Sequence, residues 1–392
     1  MQLLSPGPLP PEPVWINNNQ SLEDYCQRWS SLDAIALDTE FIRTDTFYPR
    51  PGLIQVSTGP DVFLIDPLAI DRWQPLARLF ADSSVIKVLH ACSEDLEVFK
   101  LLTDTVPRPL FDTQLAAAFA GLGFSLGYQA LLKQILNIDL PKDETRSDWC
   151  QRPLTEAQVR YASLDVVHLL EIYQHLDQRL AATPKKAWLE EECLALTFNV
   201  LPFDPENAWK DVKKGWQLRP QQLVVLKALC HFREVASRSL DVPRNRVIPK
   251  GSLWPLARFQ PKVMNALREM PEMRPGIIRN HGEQILDIIR SSSQVPETQR
   301  PEKLPLPLPK NARDLGKQIK TLMSQLAVEL QLPLELLMPG KLTTPLLRSW
   351  LDNGYFMLPD TLTGWRRDII GTPLVRQLNQ LINQLNQQEK GH

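Results

Sequence analysis

The nine-residue run Ala34-Ile35-Ala36-Leu37-Asp38-Thr39-Glu40-Phe41-Ile42 limits what this chain can fold into more than any other stretch. An apolar lead reads as a strand covered on both faces. Side chains alternate along a strand, so Asp38 and Glu40 share one side. Like charges on one face of a core strand repel, and taking them out of water is costly. A hard divalent cation with carboxylate and water ligands relieves that cost. A hydrogen-bonded pair or an edge position relieves it too. The choice depends on what the rest of the chain brings to this strand.

Punctuation on either side defines the sheet. Ser21-Leu22-Glu23-Asp24 reads as a helix start capped by Ser21. Arg50-Pro51-Gly52 turns the chain into Leu53–Ser57, and Gly59-Pro60-Asp61 turns it into Val62–Asp66. Three strands with short turns predict an antiparallel meander. Helix and strand then alternate: a helix at 73–81, a strand at Val85–His90 and a helix from about Ser93. That pattern predicts a mixed sheet with helices on its faces. Helices follow over 112–119, 125–137 and 155–180, the last opened by the capping box Thr155-Glu156-Ala157-Gln158.

With 392 residues the chain exceeds one ordinary core. Residues 1–13 are a Pro-rich lead-in, Phe203-Asp204-Pro205 marks a boundary, and helical patterns dominate beyond it. The run Ser291–Pro309 reads as an extended linker between two helical units. The expected division is 1–203, 204–295 and 305–392. Five scattered cysteines, with no Cys-x-x-Cys, argue against a disulfide framework or zinc site and suit a reducing compartment. Neither a signal peptide nor a bilayer-length apolar run is evident, so a cytoplasmic enzyme without membrane contact is expected. The net charge of −1 hides an asymmetry. Residues 1–200 hold 16 Lys and Arg against 27 Asp and Glu, whereas 201–392 hold 28 against 18. An acidic half suits cation chemistry, and a basic half suits a polyanion such as nucleic acid.

Three more positions bear on the acid pair. Asp95 falls where the strand ending near His90 gives way to a helix, a place where open sheets put ligands. An acid in a first helical turn also serves as a cap or dipole partner. Tyr161 and Asp165 lie four apart on a helix and share a face. Asp165 sits among Leu164, Val166, Leu169 and Leu170, so it needs a partner unless it is exposed. His90 reads as a packed histidine and Asp112 as a helix cap. Lys142, Arg146 and Arg152 are either phosphate contacts or solvated surface. Trp209, Trp216 and Trp254 read as core.

Leu37-Asp38-Thr39-Glu40-Phe41, the His90–Phe99 segment and Tyr161-x-x-x-Asp165 together resemble the three motifs of the DEDDy 3′–5′ exonucleases. Arg43, Tyr48-Pro49, Ser147-Asp148-Trp149 and Arg152-Pro153-Leu154 extend the resemblance to the ribonuclease D family. Trp209–Arg290 resembles an HRDC domain, a helical nucleic-acid-binding module. Residues from about 308 to 392, with Gly364-Trp365-Arg366-Arg367, are similar to a second, diverged HRDC unit.

The resemblance implies an α/β ribonuclease H-like exonuclease domain, a mixed sheet flanked by helices, followed by two all-α HRDC-type domains. It implies catalysis by Asp38, Glu40, Asp95, Tyr161 and Asp165. Two divalent ions, Mg²⁺ or Mn²⁺, would be held by the four acids, with Tyr161 aligning the attacking water. The expected reaction releases 5′-mononucleotides from RNA with a free 3′ end, such as tRNA precursors. A monomer with no obligate protein partner is expected. Two other readings stay open: a 3′–5′ DNA exonuclease, and an inactive nucleic-acid-binding protein. Removing 205–392 is expected to weaken RNA binding and flatten its salt dependence.

Overall fold

A computed structural model describes residues 11–140, 147–198, 200–338 and 342–390. Lys142 and Arg146 lie outside the described residues. The chain forms two units. One takes the described residues of Met1–Ile42, Pro51–Val200 and Leu308–His392. The other takes Arg43–Arg50 and Leu201–Pro307.

The first unit is built on a six-stranded sheet. Its strands are β1 (Val14–Ile16), β2 (Ala34–Ile42), β3 (Arg50–Ser57), β4 (Val62–Ile65), β5 (Ile86–Leu89) and β6 (Leu110–Asp112). Across the sheet they run β1-β4-β3-β2-β5-β6. β3 and β4 pair antiparallel, Ile54 facing Ile65. β2, β5 and β6 run parallel, with Ala36 beside Val88 and Val88 beside Phe111. The strand carrying the acid pair is therefore central. Residues Ile35, Ala36 and Leu37 are fully buried, as its apolar lead requires.

Helices α1 (Asn19–Trp29), α2 (Gln74–Ala81), α3 (Ser93–Thr103), α4 (Thr113–Phe119), α5 (Tyr128–Leu136), α6 (Glu156–Val167), α7 (Leu169–Leu180) and α8 (Lys185–Phe198) accompany the sheet. The mixed sheet with flanking helices matches the expected architecture. Local details differ. Asn18, not Ser21, caps α1: its Oδ1 accepts the Ser21 backbone N–H at 2.9 Å. The pattern over 155–180 resolves into α6 and α7, because His168 leaves helical geometry at φ −104°, ψ 2°. The capping box of α6 forms as expected. Strands β1 and β6, three residues each, were not expected from the sequence.

The second unit contains α9 (Pro220–Ser239), α10 (Arg244–Val247), α11 (Leu253–Phe259), α12 (Met264–Arg268) and α13 (Pro275–Ser292). They close over a core that includes Trp209, Leu226, Ile248, Leu256 and Ile285.

Beyond them, α14 (Lys310–Leu330), α15 (Leu334–Leu337), α16 (Thr343–Asn353) and α17 (Thr372–Lys390) return to the first unit. Buried Ile319, Met323 and Leu347 of these helices, and Trp365 between α16 and α17, join the same apolar cluster as the sheet. The seam is specific. Trp365 stacks on Trp188 of α8 with centroids 5.0 Å apart and meets Phe119 of α4 edge-on. Glu192 accepts the Trp365 indole N–H at 2.7 Å and pairs with Arg366. Gly364, at φ +57°, lies so close to Glu191 that a Cβ would collide with its carboxylate. Deleting 205–392 would therefore strip part of the nuclease core along with the basic residues.

Candidate active site

Two elements deliver the acids. β2 carries Asp38 and Glu40 at its far end, and α6 packs against β2 carrying Tyr161 and Asp165 in its last turns. The structure brings Asp38, Glu40 and Asp165 together, each offering a carboxylate oxygen within 4.8 Å of the others. Residues 127 positions apart in sequence meet because the strand and the helix cross here.

Asp95 flanks this cluster. It sits in the first turn of α3, is nearly buried, and accepts a 2.5 Å hydrogen bond from the Thr39 hydroxyl. Thr39 points away from its two acidic neighbours, as strand alternation demands. β2 thus carries two acids of the site and, through Thr39, holds a third.

The electrostatics are those of crowded like charges. Burial, then Asp95, Asp165 and Glu40, push Asp38 well above the usual carboxylate range. Burial and the charges of Asp165 and Asp95 raise Glu40 to about 8. Burial raises Asp95 to about 7 against the pull of the Thr39 hydrogen bond. It also raises Asp165 to about 7, against a hydrogen bond from Tyr161. Among the described residues, no salt bridge compensates these acids. Such a set of oxygen donors fits a hard divalent cation, whose charge would let the carboxylates ionise together. Tyr161 is itself pushed upward by burial and by Asp165, Glu40 and Asp38, so its hydroxyl keeps its proton and acts as a donor.

Sequence reasoning missed Tyr128 and gave Trp149, met only within the Ser147-Asp148-Trp149 motif, no role in the site. Tyr128, near the start of α5, donates from its hydroxyl to the Leu164 carbonyl at 3.2 Å, beside Asp165. Only its place near a helix start distinguishes it in the sequence. Trp149 is buried with its ring 6.0 Å from that of Tyr161. It packs so tightly on Gly52 that no side chain fits there. Arg152 does not reach out for phosphate. It pairs with Asp66 and donates to the Gly52 and Trp149 carbonyls at 2.7 and 3.0 Å, fastening the segment that carries Trp149. His90 is a packed histidine, its Nδ1 2.9 Å from the Thr113 hydroxyl. Asp112 caps α4 through the Gln114 and Leu115 N–H groups.

Residues 13–181 match the 3′–5′ exonuclease family and residues 222–289 match the HRDC domain family. Ribonuclease D of Pseudomonas paraeruginosa is 47% identical over 94% of this chain and 98% of its own length. Ribonuclease D of Escherichia coli is 36% identical over 92% of this chain and 96% of its own. The crystal structure of Escherichia coli RNase D, described as an exoribonuclease involved in structured RNA processing, superposes with a TM-score of 0.86 at 35% identity. It covers 94% of this chain and 99% of that one. Among the described residues, no helix is long and apolar enough to cross a membrane.

Proposed function

Because the chain belongs to the ribonuclease D family and is a 3′–5′ exoribonuclease, we propose that Asp38, Glu40, Asp95, Tyr161 and Asp165 carry its catalysis. The observation that supports this most directly is the meeting of three carboxylates within 4.8 Å. The RNA reading holds over the DNA-exonuclease and inactive alternatives, since ribonucleases D align over nearly the whole chain.

Asp38, Glu40 and Asp165 are the ligands we assign to divalent cations, with Asp95 supporting Asp38 from the side. When bound, two such ions, Mg²⁺ or Mn²⁺, supply the Lewis acidity that lowers the pKa of bound water and neutralises charge on the scissile phosphate. The chain's own residues do the rest. The carboxylates orient the reacting groups at the strand end. The Tyr161 hydroxyl, held protonated, offers one hydrogen bond to the attacking water, while Trp149 keeps the ring in place. The product is a 5′-mononucleotide, and structured RNA precursors such as those of tRNA are the substrates. We assign a cytoplasmic monomer.

The test is a matched pair of end-labelled RNA and DNA strands, each incubated with Mg²⁺, with Mn²⁺ and with EDTA. The expected outcome is stepwise loss of 3′ nucleotides from RNA with either metal and none in EDTA. Shortening in EDTA, or preference for DNA, would overturn the assignment.

A further inference from the structure

The second unit carries a surface that its own fold does not explain. Phe259, the last residue of α11, is 65% exposed, and Val263 beyond it is 60% exposed. Trp254, one turn before Phe259, meets its ring edge-on at 6.3 Å. The Trp254 indole N–H donates to the Lys214 carbonyl at 3.0 Å, so the turn Lys213-Lys214-Gly215-Trp216 lies against these rings. Trp216 in that turn is 36% exposed, which corrects its reading as a core residue. A second tie closes the group: Gln222 accepts from the Arg219 N–H at 2.9 Å and donates to the Arg258 carbonyl at 3.1 Å.

Charge marks the same face. Lys213, Lys214, Arg219, Arg258 and Lys262 are all exposed. None of them is paired with an acid among the described residues. Neither 212–233 nor 242–268 contains an Asp or Glu. Some cations of this unit are compensated: Arg244 pairs with Glu234, Lys227 with Glu206 and Arg290 with Asp287. Exposed apolar rings among unpaired cations are poorly placed for water or for an apolar protein partner. They match a strand with charged phosphates and flat, unpaired bases.

We infer that the face formed by Trp216, Trp254 and Phe259, with Lys213, Lys214, Arg219, Arg258 and Lys262 around it, binds single-stranded RNA by stacking bases on Phe259 and Trp216. The inference rests on the RNA-degrading reading above and adds to it where an unpaired segment is held. A duplex keeps its bases stacked inside and presents phosphates alone. The cations would serve either form, whereas the exposed rings serve only the single strand.

Fluorescence anisotropy in EDTA tests this with the full chain, a 5′-labelled unstructured RNA and the same sequence as a blunt duplex. Phe259→Ala is expected to weaken single-strand binding about 5- to 100-fold and to leave duplex binding within about twofold. Its salt dependence should keep the wild-type slope, because no phosphate contact is removed. Phe259→Tyr should restore binding, since a ring returns. The double variant Lys214→Gln/Lys262→Gln should instead lower the slope of log K against log salt by about 1.4. Wild-type affinity in Phe259→Ala, equal losses on both RNAs, or failure of Phe259→Tyr to restore binding would overturn the inference. RNA degradation by the wild type is scored separately with Mg²⁺. Failure there would remove the nuclease reading and leave the binding result standing.

Discussion

The nuclease sheet and the helical unit both gather like charges, and they handle them in opposite ways. At the end of β2, acids are drawn into a half-buried cluster where water screens poorly, and all four are held above their ordinary range. On the helical unit, cations of one sign stand in open solvent, where water and salt screen them and each costs little. Crowding in a low-dielectric site creates a demand for a specific ion at a specific place. Spacing in water creates only a general attraction, tuned by salt. Chemistry calls for the first arrangement and retention of a long polyanion for the second.

That contrast can be broken most directly at Asp38. Asp38→Ala should lower RNA hydrolysis by about 10³-fold or more, the equivalent of several kcal/mol of transition-state stabilisation. Because it also removes one of four repelling acids, the variant should melt at a higher temperature than wild type in EDTA. Single-turnover kinetics and thermal melting check both halves. Near-normal turnover, or a lower melting point without metal, would mean that the acids are not a strained cage.

A smaller effect is expected at Tyr161. Tyr161→Phe keeps the ring against Trp149 and removes one hydroxyl. One hydrogen bond to a charged or polarised group is worth roughly 1.5–3 kcal/mol, so kcat should fall about 10- to 100-fold with metal affinity retained. A loss as deep as that of Asp38→Ala would move Tyr161 from aligning water to holding the cluster together.

The mildest test uses a buried charge of the other sign. Lys87 on β5 has no exposed surface, and its ammonium donates to the Asp82 and Arg108 carbonyls at 2.5 and 2.8 Å. Burial lowers its pKa from 10.5 to about 8. Between those pH values the unfolded chain binds more protons than the folded one, so stability rises with pH across that window. Each tenfold displacement of the equilibrium is worth roughly 1.4 kcal/mol. Lys87→Met lacks the ionisation, so the stability of wild type relative to the variant should rise as pH climbs from 8 to 10.5. Denaturant titrations at several pH values check this, and a constant gap would show that burial costs Lys87 nothing.

Much of the sheet and of the acid set was legible because each rests on a strong local pattern. β2 is an unbroken apolar lead ended by acids, and Tyr161 and Asp165 are spaced by one helical turn. What escaped has no local pattern. β1 and β6 are three residues long and take their identity from the neighbours they pair with, Phe63–Ile65 and Lys87–Leu89. Tyr128 and Trp149 matter through residues more than 30 and 10 positions away, at Leu164 and Tyr161. The Thr155 cap is legible because donor and acceptor lie three residues apart, whereas the cap of α1 is not Ser21 but Asn18, three residues earlier and also a good capping type. Burial of a tryptophan cannot be read from its identity, as exposed Trp216 and buried Trp209 show.

The return of the chain's last helices to the sheet has a consequence for how the enzyme can be cut and made. The nuclease is written in two instalments, with the helical unit inserted between them. A fragment stopping near residue 200 is an unfinished nuclease, with the aromatic socket of Phe119 and Trp188 left open to solvent. Dissecting the enzyme therefore means excising the middle and splicing the two ends. In the cell, a ribosome must release almost the entire polypeptide before that socket can be filled.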